Sequence, residues 1–171
     1  MTNITRRTAA ATAAAAFALP AAAAEVKPMA STDFVATYHA LIKDWQRQDI
    51  DAVLARVTDD LEWHYLVGLP PLKGKAAMRE FLVKFGKGMH DVKWRIFDVM
   101  TGKDRIMVEG VDEYTNEAGN RVAVPYMGIY EFRDGLICRW RDYCDSGLAG
   151  RLKNGEAVPA YVDALIDRKA V

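Results

Sequence analysis

Tyr130-Glu131-Phe132-Arg133-Asp134-Gly135-Leu136-Ile137-Cys138-Arg139-Trp140-Arg141-Asp142-Tyr143-Cys144-Asp145 is the run of this 171-residue chain from which its architecture can be built. Asp134-Gly135 is a dipeptide that tolerates the positive φ angles of a tight hairpin turn, and β-branched and aromatic residues flank it on both sides. It therefore joins two strands, Arg121–Phe132 and Leu136–Asp145. Two more strand-like runs precede them, Val92–Met100 and Arg105–Tyr114, with Glu117–Asn120 turning one pair. The second half of the chain is thus a meander of four long antiparallel strands.

The first half has the other period. Ser31-Thr32-Asp33 forms an N-cap cluster, and Phe34, Tyr38, Leu41, Ile42 and Trp45 follow at helical spacing to about Gln48. Asp51 opens a shorter helix carrying Val53, Leu54 and Val57. Leu61–Leu66 reads as a strand stopped by Gly68 and Pro70-Pro71, and Lys75–Phe85 as a helix with Met78, Phe81, Leu82 and Phe85 on one face. A last helix, about Pro159–Arg168, carries Tyr161, Leu165 and Ile166. Helices followed by a long meander give an α+β fold, and a sheet covered by so few helices must curl into a cone with an interior.

Met1–Ala24 stands apart. Arg6-Arg7 makes a positive start, Thr8–Pro20 is alanine-dominated, and Ala22-Ala23-Ala24 supplies a small-residue cleavage site. This is the pattern of an export signal resembling the twin-arginine type, with a single domain at 25–171 and an expected destination in the bacterial periplasm or outside the cell. The apolar run is shorter than the ~20 residues a membrane span needs. Lys plus Arg and Asp plus Glu balance at 23 each, and loss of Arg6 and Arg7 leaves a small negative excess. Such a chain lacks the basic footprint of a nucleic-acid binder. Cys138 and Cys144 lie six residues apart on one strand, ~20 Å if extended, beyond the reach of a disulfide. His39, His64 and His90 are the three histidines, and no Cys/His spacing suggests a metal site.

Period-two alternation places Cys138, Trp140, Asp142 and Cys144 on one face of the last strand, and Ile137, Arg139, Arg141 and Tyr143 on the other. On an earlier strand Ile106, Val108, Gly110, Asp112 and Tyr114 share a face. A lone carboxylate interrupts each apolar row. Two carboxylates in one apolar interior are costly unless they are paired or functional. A salt bridge from Asp142 to Arg139 or Arg141, or a turn contact from Asp112 to Asn116, is the structural alternative. Tyr126 points inward beside Val124 and Gly128, while Met89, Phe81 and Met127 read as core or pocket lining.

Residues 130–137 followed by Arg139-Trp140-Arg141-Asp142-Tyr143-Cys144-Asp145 resemble the closing hairpin of the limonene-1,2-epoxide hydrolases. The likeness extends to Gly110-Val111-Asp112 and to Leu69-Pro70-Pro71 with Gly74, over most of residues 34–146. It implies the curved-sheet cone of nuclear transport factor 2, ketosteroid isomerases, polyketide cyclases and scytalone dehydratase. It also implies that Asp142 is the base that activates water, and that Asp112 is the acid that protonates the epoxide oxygen. No metal or organic cofactor enters that reaction. The chain departs from the family at three places. Gly110 stands where a bridging arginine is usual, and His64 and Leu66 stand where a tyrosine and an asparagine hold the water. His64 is expected to orient the water alone, unless it is a half-buried histidine bonded to backbone. Tyr126, Trp140, Leu66, Val124 and Trp94 are expected to line a small hydrophobic substrate. An isomerase, cyclase or dehydratase of a hydrophobic carbonyl compound, and a carrier of apolar ligands, are the competing readings. By analogy with the fold, a homodimer through the exposed sheet face, with Ile137 and Tyr143, is expected.

Overall fold

A computed structural model describes residues 31–171; the proposed export signal lies outside the described residues. The elements run α1 (Ser31–Gln46), α2 (Ile50–Ala55), β1 (Val57–His64), β2 (Leu72–Lys73), α3 (Gly74–Gly86), β3 (His90–Thr101), β4 (Arg105–Thr115), β5 (Arg121–Arg133), β6 (Leu136–Cys144), α4 (Ser146–Lys153) and α5 (Ala160–Ile166). The six strands form one curved, unclosed sheet in the order β2-β1-β6-β5-β4-β3. Every neighbour pair is antiparallel except β1 and β6, which run parallel. The expected α+β cone is the fold observed.

The β5–β6 hairpin turns at Asp134 (φ 52°) and Gly135 (φ 82°), both in the left-handed region that this dipeptide tolerates. On α1 the expected stripe is buried in full: Phe34, Tyr38, Leu41, Ile42 and Trp45 are all 5% exposed or less. Each such large side chain contributes about 1.5–3 kcal/mol when removed from water. Met78 and Leu82 of α3 bury against the same inner face of the sheet. On the outer face α5 seats Val162, and Arg121 reaches Asp163 at 2.7 Å. The C-terminal tail continues across that face, with Arg168 paired to Glu109 at 2.8 Å and to Asp98 at 2.5 Å.

Five local readings change. The first strand starts at Val57, four residues earlier than its composition suggests, because Val57 pairs with Ile137 of β6. Helix α4 is new: Asp145, read from sequence as the end of a strand, caps it by accepting from the Leu148 amide at 2.9 Å. Tyr161 is 63% exposed, so Val162 and not Tyr161 anchors α5. The fourth change is a bulge in β6. Glu131 pairs with Arg139 and Phe132 with Ile137, which leaves Cys138 as the extra residue, its thiol donating to the Glu131 carbonyl at 3.4 Å. The bulge reverses the parity of the strand start, so Ile137 is fully buried and takes no part in an exposed interface. Met127, expected as lining, faces outward and is 44% exposed.

Gly110 of β4 sits where any Cβ runs into the Arg95 carbonyl oxygen and stands 2.9 Å from the Tyr126 ring. We therefore expect Gly110→Ala to lower stability by about 2–3 kcal/mol through overpacking. Gly150→Ala, in a helix with open space at its Cβ, should raise stability by up to about 1 kcal/mol. Thermal unfolding of the two variants against the parent measures both.

Candidate active site

Between the helices and the inner face of the sheet lies a cavity of about 410 Å³. All four tryptophans of the chain, Trp45, Trp63, Trp94 and Trp140, line it. Two carboxyl groups open into this aromatic chamber, Asp112 from β4 and Asp142 from β6.

Strand register assembles the surroundings of Asp142. Trp140 lies two residues earlier on the same face, and its indole Nε1 donates to Asp142 Oδ1 at 2.6 Å. Parallel pairing sets Trp63 beside Trp140, and the Trp63 indole donates to Oδ2 at 3.3 Å. Antiparallel pairing sets Tyr130 opposite Trp140, and the Tyr130 hydroxyl lies 3.5 Å from Oδ1. Burial pushes the Asp142 carboxyl up to about 7, with the indole and hydroxyl donors holding it below where burial alone would put it. Asp142 makes no salt bridge to Arg139 or Arg141, which pair with Glu131 on the opposite face.

Asp112 has a different environment. It lies opposite Trp94 on β3 and Val124 on β5, and it has no side-chain hydrogen-bond partner among the described residues. Burial, and then the charge of Asp142, raise its carboxyl well above the carboxylate range, opposed by Lys153 at the end of α4. Of the two, Asp142 ionises first, with a midpoint near 7, and Asp112 holds its proton more tightly because the Asp142 charge and burial both oppose its ionisation. An acid and a base facing one apolar chamber can protonate an oxygen while taking a proton elsewhere on the same guest.

Asp142, Asp112, Tyr126, Trp140, Leu66, Val124 and Trp94 all line the cavity, as the sequence suggests. His64 does not. The side chains of β1 alternate, and since Trp63 faces the chamber, His64 faces outward with its Nε2 3.2 Å from Glu62 Oε1. The inward positions at the end of this strand belong to Trp63 and Tyr65, one residue out of step with the sequence expectation. Sequence reasoning also missed Lys153, because α4 was not foreseen. It placed Tyr38 in the core without a polar role. Tyr130 shares the parity of Tyr126 along β5, a signal that could have found it. At Gly110 the Tyr126 ring and the Arg95 carbonyl oxygen leave no room for the arginine of the family pattern.

The pH dependence of stability tests the burial of Asp142. A carboxyl that is neutral in the fold and ionised in the unfolded chain destabilises the fold as pH rises from its unfolded pKa to its folded one. For Asp142 that window runs from about 4 to about 7. Relative to the parent, Asp142→Asn should gain about 4 kcal/mol between pH 4 and pH 8, read by denaturant unfolding at each pH.

The SnoaL-like domain family matches residues 35–140 of the chain. No curated protein matches it by sequence. Among solved structures, an LEH-like epoxide hydrolase from M. tuberculosis is 25% identical, with a TM-score of 0.64 over 73% of this chain and 92% of that one. An NTF2-like protein from Burkholderia xenovorans is 18% identical, with a TM-score of 0.61 over 72% and 98%. SalBIII, an epoxide hydrolase/cyclase-like enzyme of pyran ring formation in the polyether salinomycin, is 18% identical, with a TM-score of 0.62 over 68% and 93%. The curved six-stranded cone and a family match across most of the sheet lead to one assignment: the chain belongs to the SnoaL-like domain family, with the nuclear transport factor 2-like fold.

Proposed function

We propose that this protein is a cofactor-independent hydrolase that opens a small lipophilic epoxide to a diol. The observation that carries the reading is two carboxyls in one aromatic cavity with unlike surroundings, Asp142 met by two indole donors and Asp112 by none. Asp142 takes a proton from water as the water oxygen attacks one ring carbon. The C–O bond breaks, and Asp112 passes its proton to the departing oxygen. Tyr65, which lines the cavity two residues beyond Trp63, takes the water-orienting place that His64 vacates. The apolar remainder of the lining suits a hydrocarbon frame with few polar groups. The epoxide hydrolase from M. tuberculosis, at 25% identity, supports this choice of reaction.

A specific observation favours a second reading. Leu66 offers no polar atom to a water, while the Tyr130 hydroxyl lies beside Asp142 and continues through Tyr38 to Tyr126. Those features suit an isomerase, cyclase or dehydratase of a hydrophobic carbonyl compound. In it Asp142 removes a carbon-bound proton, and Tyr126 or Asp112 supports the enolate oxygen.

Oxygen-18 water separates the two. Incubation with a panel of small epoxides should place the label in a diol, whereas turnover without diol points to the carbonyl reaction. Inertness toward both substrate classes with tight uptake of an apolar probe would leave only a carrier. Either Asp142→Asn or Asp112→Asn should lower kcat/KM by about 10²–10⁴. Activity should rise with pH as Asp142 ionises near 7 and fall at higher pH as Asp112 loses its proton.

A further inference from the structure

Each cycle of the proposed reaction leaves a proton on Asp142 and removes one from Asp112, so the pair must be reset before the next. Among the described residues no arginine lies between them to couple the two. What the structure places beside Asp142 is a line of hydroxyls. Tyr130 OH stands 3.5 Å from Asp142 Oδ1 and 3.3 Å from Tyr38 OH, and Tyr38 OH stands 2.8 Å from Tyr126 OH. Tyr130 and Tyr126 line the cavity; Tyr38 is fully buried beneath them and does not touch it.

Two glycines make this line sterically possible. A Cβ at Gly128 would lie 2.6 Å from the Tyr130 ring and 2.8 Å from its hydroxyl, and a Cβ at Gly110 would lie 3.1 Å from the Tyr126 hydroxyl. The floor of the chamber is thus cleared at two points on neighbouring strands, and each ring lies over a glycine to bring its oxygen to Tyr38. Packing alone gives no reason for three phenols to converge here.

We infer that Tyr130, Tyr38 and Tyr126 form a proton-return path from Asp142 toward Asp112, with Tyr38 as the positioning residue that joins its two halves. This rests on the acid and base roles proposed above. The proton on Asp142 passes to the Tyr130 oxygen while Tyr130 gives its own to Tyr38, Tyr38 to Tyr126, and Tyr126 to the Asp112 carboxylate through water in the cavity. One O–H bond forms for each that breaks. Asp142 ends as carboxylate, Asp112 as acid, and every tyrosine as a neutral phenol. Burial raises all three phenols above their ordinary value, which disfavours a free phenolate and requires the hops to be concerted. The groups facing Asp142 that could blur the signal are Asp112 from β4, Cys144 from β6 and Lys153 from α4.

The test follows tyrosine Cζ signals of the ¹³C-labelled full chain by NMR as pH is raised through the range where Asp142 ionises, with the Trp63 and Trp140 indole N–H signals reporting Asp142 itself. In the parent, Tyr130 and Tyr126 should move with the same midpoint as the Trp140 indole, since ionising Asp142 reverses the direction of the chain. In Tyr38→Phe, which keeps the ring, Tyr130 should still follow the indole and Tyr126 should lose its response. Steady-state turnover of an epoxide should fall roughly tenfold while the single-turnover rate changes less than about twofold. An unchanged Tyr126 response in the variant, or none in the parent, overturns the path. Where Tyr38→Phe does not fold, the solvent isotope effect of the parent decides. A curved dependence of turnover on deuterium fraction supports several protons in flight, and a straight one overturns them. Full turnover in Asp142→Asn would sink the reading of the site instead, and the NMR result stands apart from it.

Discussion

The burial of Asp142 against two indole donors is the constraint on which the site depends. A carboxylate removed from water is costly unless donors meet its oxygens, and here the donors are Trp140 from its own strand and Trp63 from the parallel neighbour. That arrangement exists only because β1 runs parallel to β6 and sets Trp63 beside Trp140. The single parallel pairing in an otherwise antiparallel sheet therefore has a chemical consequence. It closes the base from both sides and leaves its remaining face to the cavity and to Tyr130.

The second carboxyl is tuned by contrast. Asp112 has burial and the neighbouring charge but no donors, so the two acids are driven apart in proton affinity by their surroundings alone. A guanidinium between them would tie both down as carboxylates. Gly110 rules that out, since the Tyr126 ring and the Arg95 carbonyl oxygen fill the space its side chain would need. A phenol, that of Tyr126, occupies that space instead.

Much of this was legible in the sequence, and the failures have identifiable causes. Period-two alternation placed Asp142, Trp140 and Asp112 inside, and the Asp134-Gly135 turn located the hairpin that carries Trp140 and Asp142. Alternation failed at Ile137, because a bulge at Cys138 shifts parity and no residue type announces a bulge. It failed at His64 for a different reason. Trp63, His64 and Tyr65 are all plausible inward residues by composition, and only the pairing of β1 with β6 chooses among them. Helix α4 was hidden because Asp145 serves equally as a strand end and a helix cap. The convergence of Tyr38 with Tyr126 and Tyr130 joins residues about ninety positions apart, a relation that neither period can reveal.

The proposed chemistry requires one carboxyl of this cavity to be a base poised near neutrality and the other to be an acid that keeps its proton. Carbon-13 NMR of the aspartate side-chain carboxyls across pH addresses it without any substrate. Asp142 should titrate near 7 and Asp112 at a higher pH. Two carboxyls that both ionise near 4, as they do in open solvent, would contradict it.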